Sequence, residues 1–278
     1  MTVVDPKTLD DDALRAYVAD REWYHTIELR SGVETPGWFD LREVAPQLPW
    51  PDLSGRRCLD VGTFDGFWAR QMSGRGAADV LAIDILDPQA WDWPHGSEGA
   101  IVEALAARKR KGDGFEFVNR VLDQSIERRE LSVYDLDAAD VGEFDLVYVG
   151  SLLLHLRDPI LALERVRDVC KPDGHLMLLD AIDLGLTLRH RRRPMASLDG
   201  TGRPWWWKAN AAGLARMVTA AGFDLLAPPR TVFMPLGRGY RGPRPRPSLM
   251  RSPAGREALV TAWRGEPHAV ILARPRAS

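Results

Sequence analysis

The stretch Leu59-Asp60-Val61-Gly62-Thr63-Phe64-Asp65-Gly66, residues 59–66, decides how the rest of the chain is read. It follows Cys58, so an apolar run Cys58-Leu59-Asp60-Val61 ends abruptly at Gly62. An apolar run this short, closed by glycine, predicts a buried strand. Gly62 lets backbone approach a ligand without a side-chain clash. The residues after Gly66 read as a helix from Trp68 to Arg75, closed by Gly76. The free N–H groups of such a helix start face whatever sits in the turn.

The same grammar repeats downstream. Val80–Ile83, Leu131–Tyr134, Leu146–Val149 and His175–Leu179 read as further strands. They end at Asp84, Asp135, Gly150 and Asp180. A helix is expected from Pro159 to Val169, and Lys171-Pro172-Asp173-Gly174 reads as a turn. Nearly all-apolar strands alternating with helices predict a parallel sheet covered on both faces. Such sheets bind ligands at the carboxyl ends of their strands. Asp84, Asp135, Gly150, His155 and Asp180 all fall at or just after such ends.

Phe64 stands where a dinucleotide fingerprint needs its second glycine. A bulky residue there crowds a pyrophosphate but tolerates a ligand without phosphate. This favours S-adenosylmethionine over a nicotinamide cofactor. Residues 59–66 resemble the first motif of class I methyltransferases. Asp84 matches that superfamily's ribose-binding acid, and Ser132-Val133-Tyr134-Asp135 resembles its adenine-binding motif. Phe144 to Pro159 resembles the fourth-strand motif, and Lys171–Gly174 the turn before the fifth strand. The resemblance implies a Rossmann-like α/β fold, with a mostly parallel seven-stranded sheet flanked by helices and an N-terminal cap. It implies S-adenosyl-L-methionine held by Asp60, Gly62, Thr63, Phe64, Gly66, Asp84, Ile85, Tyr134, Asp135, Gly150 and Ser151.

A narrower resemblance runs over most of the chain. Trp23-Tyr24-His25-Thr26-Ile27, Thr35-Pro36-Gly37-Trp38-Phe39-Asp40 and Trp207 through Asn210 to Gly222-Phe223 look like proteins grouped with the tRNA wobble-uridine carboxymethyltransferase. Some proteins of this kind methylate small molecules or sugars. The tRNA-modifying member has Tyr before the fourth-strand His, helping to hold a carboxylated cofactor. Leu154 occupies that position here, so ordinary S-adenosylmethionine is expected.

Residues 1–50, acidic and helix-like from Asp10 to Ala19, are expected to form a cap. Residues 51–278 then form the cofactor-binding domain, with insertions at about 184–208 and 236–266. A helix is expected from Asn210 to Ala221, late strands at Arg230–Met234 and Ala269–Leu272, and a long loop from Gly237 to Arg256. Methyl transfer to a hydroxyl needs alignment and a base for the proton. His155 is the first candidate and His25 the second, with a structural histidine as the alternative for His155. Asp180 could orient a base or bind the acceptor. Tyr24, Trp38 and Trp207 are expected to line the acceptor site.

The 278 residues carry a formal net charge of −2, with 45% hydrophobic and 27% charged residues. That gives no global attraction to nucleic acid or anionic membranes. The basic stretches at Arg189–Arg193 and at Arg238, Arg241, Arg244 and Arg246 read as solvated loops or an anion-binding edge. Cys58 and Cys170 read as buried free thiols of a reducing compartment. No apolar stretch is long enough to span a bilayer, and no secretory signal is seen, so a cytoplasmic protein is expected. No metal-ligand spacing is present. Carboxylates alone leave a Mg²⁺ ion open. The expectation is therefore an O-methyltransferase for a sugar or glycoside, with tRNA modification and cofactor binding without chemistry as alternatives. The exposed aromatic and Arg-Pro segments make a homodimer an expectation.

Overall fold

The computed structural model describes residues 5–95, 103, 114–198, 205–240 and 253–277. Eight strands form one sheet: β1 Arg57–Val61, β2 Asp79–Asp84, β3 Glu127–Glu130, β4 Phe144–Gly150, β5 Cys170–Ala181, β6 Phe223–Leu225, β7 Arg230–Met234 and β8 Glu266–Pro275. Their order is β3-β2-β1-β4-β5-β8-β6, with β7 also paired to β8. The first five are parallel, and β8 runs antiparallel to β5, β6 and β7. This is the Rossmann-like arrangement, with one strand more than expected. The extra strand arises because β8 is long enough to pair β6 at Ala273–Pro275 and β7 at Glu266–Val270 along the same edge.

Successive side chains of a strand face opposite sides of a sheet, so each strand contributes to two cores. Cys58, Ala82, Leu146, Tyr148, Met177 and Leu179 face one side, packed with Phe67, Trp68, Met72, Phe115 and Val118. Leu14, Val18, Trp23, Leu29, Val33, Leu41 and Leu48 join that same core, so the N-terminal segment packs directly onto the sheet layer. Leu59, Val61, Leu81, Ile83, Val147, Val149, Leu176 and Leu178 face the other side, against Leu163, Val166, Leu214 and Val218. Burying a branched aliphatic side chain contributes about 1.5–3 kcal/mol, and both faces of the central strands do so.

Three local expectations are corrected. The third strand lies at Glu127–Glu130 rather than 131–134. It is an edge strand, and its Glu-Arg-Arg-Glu sequence hid it because edges carry charge. The apolar run behind it forms a 3-10 turn, Val133–Asp135, capped by the Ser132 hydroxyl. The expected turn Lys171–Gly174 is absorbed into β5, whose register against β4 shifts between Phe144 and Leu146. The helix after Gly66 spans Phe67–Ser73 and is closed by Gly74.

Other helices fall close to expectation: Asp11–Ala19 with Asp10 capping it, Pro159–Asp168, and Ala211–Ala220 capped by Asn210. A further helix, Pro253–Arg264, begins inside the expected long loop. Arg241, Arg244 and Arg246 lie outside the described residues. No helix among the described residues is long and apolar enough to cross a membrane.

The aromatic N-terminal segment forms two small pairs. Trp23–His25 pairs in parallel with Gly37–Phe39, and Glu28–Arg30 pairs antiparallel with Val33–Glu34. The parallel pair is very close. A Cβ on Gly37 would stand 2.1 Å from the His25 carbonyl carbon, so only glycine fits there.

Candidate active site

A cavity of about 580 Å³ opens at the carboxyl ends of the strands. It lies where the strand order reverses, between β1 and β4. Val61 ends β1 and Gly62 follows it, Asp84 ends β2 and Ile85 follows it, and Gly150 ends β4 with Ser151 and Leu152 after it. Tyr24, His25 and Trp38 close it from the N-terminal segment.

The turn after β1 is shaped by buried acids. Asp60 is 1% exposed and accepts from the Thr63 hydroxyl at 2.7 Å and the Ala69 N–H at 3.0 Å. Burial pushes its pKa up to about 6, against those hydrogen bonds. Asp60, Thr63 and Gly66 therefore build the turn from behind and are not among the residues lining the cavity. Gly62 has φ +75 and lines the cavity, where a Cβ would stand 3.5 Å from the Leu152 side chain. Phe64, with φ +52, donates its N–H to Asp84 at 2.9 Å, fixing the carboxylate at the mouth of β2.

Asp65 was read in the sequence only as part of the turn, yet it organises the opposite wall. Its Oδ2 accepts from the Tyr24 N–H at 3.1 Å and the His25 N–H at 2.8 Å. Its Oδ1 bonds the His25 Nδ1. A carboxylate only accepts, so Nδ1 carries a proton, and in the neutral ring Nε2 is the acceptor. His25 is 3% exposed, stacks on Phe67, and lines the cavity. A histidine oriented by a carboxylate and facing a cavity is a competent general base.

Residues 85–93 and 132–134 form the far end. Ile85, Trp91, Trp93, Ser132, Val133 and Tyr134 line it, whereas Asp135 does not. Trp91 and Trp93 stack, and their indole N–H groups donate to the carbonyls of Ile85 and Pro88. Asp92 ties this segment down. Its Oδ2 accepts from the Tyr134 hydroxyl at 2.9 Å and the Arg157 N–H at 2.7 Å, and its carbonyl accepts from the Trp206 indole. No sequence signal pointed to Asp92, because its partners lie 42 and 65 residues away.

Two expected acceptor-site residues stand elsewhere. Asp180 is 0% exposed and does not line the cavity. It accepts from the Leu152 and Leu153 N–H groups at 2.9 and 2.7 Å, holding from behind the 3-10 turn Leu153–His155. Burial pushes its pKa up to about 7. Trp207 donates its indole N–H to the Leu156 carbonyl and packs behind the same turn. Leu154 lines that rear side with Asp180 and Trp207 and is not among the residues lining the cavity. His155 does line the cavity.

The lining residues that are described include two carboxylates, Asp84 and Asp92, several aromatic rings, and no Lys or Arg. That set suits a cationic ligand without phosphate, because sulfonium and ammonium groups are attracted to ring faces and carboxylates. Among the described residues no group of three or more His, Cys, Asp or Glu is placed to hold a metal ion.

A sequence model of the family described as "Methyltransferase domain" matches residues 38–227. The chain is similar to the ubiquinone biosynthesis O-methyltransferase of Acinetobacter baumannii (strain AYE), 30% identical over 142 residues, covering 49% of this chain and 51% of that protein. It is 31% identical over 179 residues to the enzyme of that name from Neisseria meningitidis serogroup C, covering 63% of this chain and 66% of that protein. The chain thus spans about half the length of the first of these curated relatives. Among solved structures, it is similar to the N-terminal domain of EvdMO1 in the presence of SAH and D-fucose. The TM-score is 0.55 at 16% identity, covering 97% of this chain and 98% of that one.

Proposed function

Because this chain belongs to the class I S-adenosylmethionine-dependent methyltransferases, we propose that it transfers a methyl group to a hydroxyl of a small polyhydroxylated acceptor, a sugar or glycoside. The observation that carries the reading is His25, a residue of the cavity lining whose Nδ1 is held by the Asp65 carboxylate. S-adenosylmethionine, when bound, supplies an electrophilic methyl group on a sulfonium. Asp84 would accept from the ribose hydroxyls, and the backbone at Gly62 would lie against the amino-acid end. Ile85 and Ser132–Tyr134 would enclose the adenine, with the Trp91–Trp93 segment excluding water.

We assign the base to His25 rather than to His155, because the Asp65 carboxylate fixes its tautomer and orientation. Its Nε2 takes the proton of the acceptor hydroxyl as the new carbon–oxygen bond forms. Tyr24 and Trp38 give that hydroxyl's molecule aromatic walls, with their rings 6.1 Å apart. A tRNA acceptor is the second reading, supported by the resemblance of the N-terminal segments. The described lining offers no cation to a phosphate backbone, which favours the small neutral acceptor.

Incubation with labelled S-adenosylmethionine and a panel of hexoses, deoxyhexoses including D-fucose, glycosides, phenols and tRNA tests the reading. Label is expected in a neutral hydroxylated small molecule. Label only in tRNA overturns it. On the acceptor found, Asp65→Asn is expected to lower kcat by about 10²–10⁴-fold, the range of a misplaced general base.

A further inference from the structure

A buried arginine stands behind the Asp65–His25 pair. Arg70 belongs to the helix Phe67–Ser73 and is 7% exposed. Side chains of a helix lean toward its N-terminus, so the guanidinium reaches back to the turn from which the helix starts. There Nη1 donates to the Asp65 carbonyl at 2.7 Å. Nη2 donates to the Phe115 carbonyl at 3.1 Å and to the Asn119 Oδ1 at 3.3 Å, both on the helix Gly114–Val121. Gly66 leaves the room for this reach. With φ +83, it is a place where a Cβ would stand 2.1 Å from the Arg70 Nη1 and 2.6 Å from the Phe115 ring.

As packing alone, the arrangement is unfavourable. The three acceptors of the guanidinium are all uncharged, and its Nε finds no hydrogen-bond partner. Burial pushes the Arg70 pKa down to about 10, so the charge persists at neutral pH. A cation at the start of a helix also opposes the helix dipole. A well-packed apolar side chain in place of a buried charge is often neutral or stabilising. What the charge has to act on is Asp65, 3% exposed, whose main chain Arg70 holds. The carboxylate of the same residue accepts from the Tyr24 N–H, the His25 N–H and the His25 Nδ1. A positive charge at this place favours the ionised carboxylate, the form that accepts from all three.

We propose that Arg70 is a positioning residue for the Asp65–His25 pair: its guanidinium clamps the Asp65 main chain and keeps the carboxylate ionised, and the carboxylate in turn fixes the His25 ring at the cavity wall. This deepens the reading of His25 as the base and rests on it. Gly66, expected from the sequence to meet the cofactor, serves the clamp instead, because any side chain there displaces the guanidinium. The other charged or titratable groups around the pair and the guanidinium are Asp60, Tyr24, Glu116 and Arg128, and they stay in place when Arg70 is changed.

The test uses the full chain, Arg70→Met and Arg70→Lys. Arg70→Met keeps the bulk and removes the charge. It is expected to lower kcat for methyl transfer about 10–100-fold, as for a displaced catalytic group, with the acceptor KM and the calorimetric affinity for S-adenosylhomocysteine within about twofold of wild type. Loss of a positive charge eases protonation of the groups around it, so the acid limb of its kcat/KM profile is expected to move up by about one pH unit. Arg70→Lys keeps the charge and is expected to restore the wild-type profile and part of kcat. In unmutated protein, a guanidinium held on two sides does not rotate freely, so separate Arg70 Nη–H signals are expected in NMR spectra at neutral pH. Averaged Nη–H signals overturn the clamp without need of a variant, even where a substitution impairs folding. Unchanged kcat in Arg70→Met, or a pH profile that moves equally in both variants, overturns the proposal while leaving the base assignment standing. Methyl transfer by wild type that survives His25→Ala overturns the base reading, and the proposal with it.

Discussion

At the scale of single residues, burial separates acids that face the cavity from acids that build the walls. Asp84 opens on the cavity, whereas Asp60 and Asp180 are spent on backbone and hydroxyl donors inside the protein. Asp180 carries a consequence for stability. Its folded pKa of about 7 exceeds the unfolded value near 3.9, so folding takes up a proton between those limits. The stability it contributes is fully present below about pH 4 and is lost as pH rises through about 7. Asp180→Asn has no such group. The stability of wild type relative to this variant, from urea unfolding, is therefore expected to fall as pH rises from 5 to 8. A constant difference across that range would remove burial of Asp180 as the cause. The identity of each acid was legible in the sequence, but its direction was not. Whether a carboxylate points into a cavity or into backbone depends on what packs beside it.

At the scale of elements, the short parallel pair Trp23–His25 with Gly37–Phe39 decides where His25 stands. Thr35 clamps it by donating its hydroxyl to the His25 carbonyl at 2.7 Å and accepting from the Ile27 N–H at 2.8 Å. Gly239 donates its N–H to the Gly37 carbonyl from outside. Gly37→Ala would force a Cβ onto the His25 backbone from a segment held on both sides. Overpacking of this kind costs roughly 1–3 kcal/mol, or several degrees of melting temperature. Methyl transfer is expected to fall further than the lost stability explains, because the clash moves His25 itself. A variant with normal melting and normal turnover would show that the pair is not rigid. The sheet strands announced themselves through apolar runs. This pair did not, because three-residue strands carry no periodicity and the glycine reads equally well as a loop. The edge strand β3 stayed hidden for a related reason, its charge matching its exposure to solvent.

At the scale of the whole molecule, the cavity is closed by pieces drawn from across the chain: the N-terminal segment, the turn after β1, the Trp91–Trp93 segment and the 3-10 turn that includes His155. The N-terminal segment and the sheet share one core, so ligand binding should stabilise both together. S-adenosylhomocysteine at about 100 times its Kd is expected to add about 2.7 kcal/mol and to raise a single melting transition by roughly 5–10 °C. Asp92→Ala releases the Trp91–Trp93 segment from Tyr134 and Arg157, and is expected to weaken that ligand about three- to tenfold. Two separate transitions, or an unchanged affinity, would contradict a jointly closed site. The sequence by itself determined the layered sheet and the strand ends that line the cavity, because apolar runs, glycine turns and terminal acids are local signals. Only the tertiary structure decided that Asp65 meets His25, that Ser151 meets His268, and that Asp180 and Trp207 stand behind the wall. Those partners lie tens to more than a hundred residues apart, and only packing onto a common sheet brings them within hydrogen-bond reach.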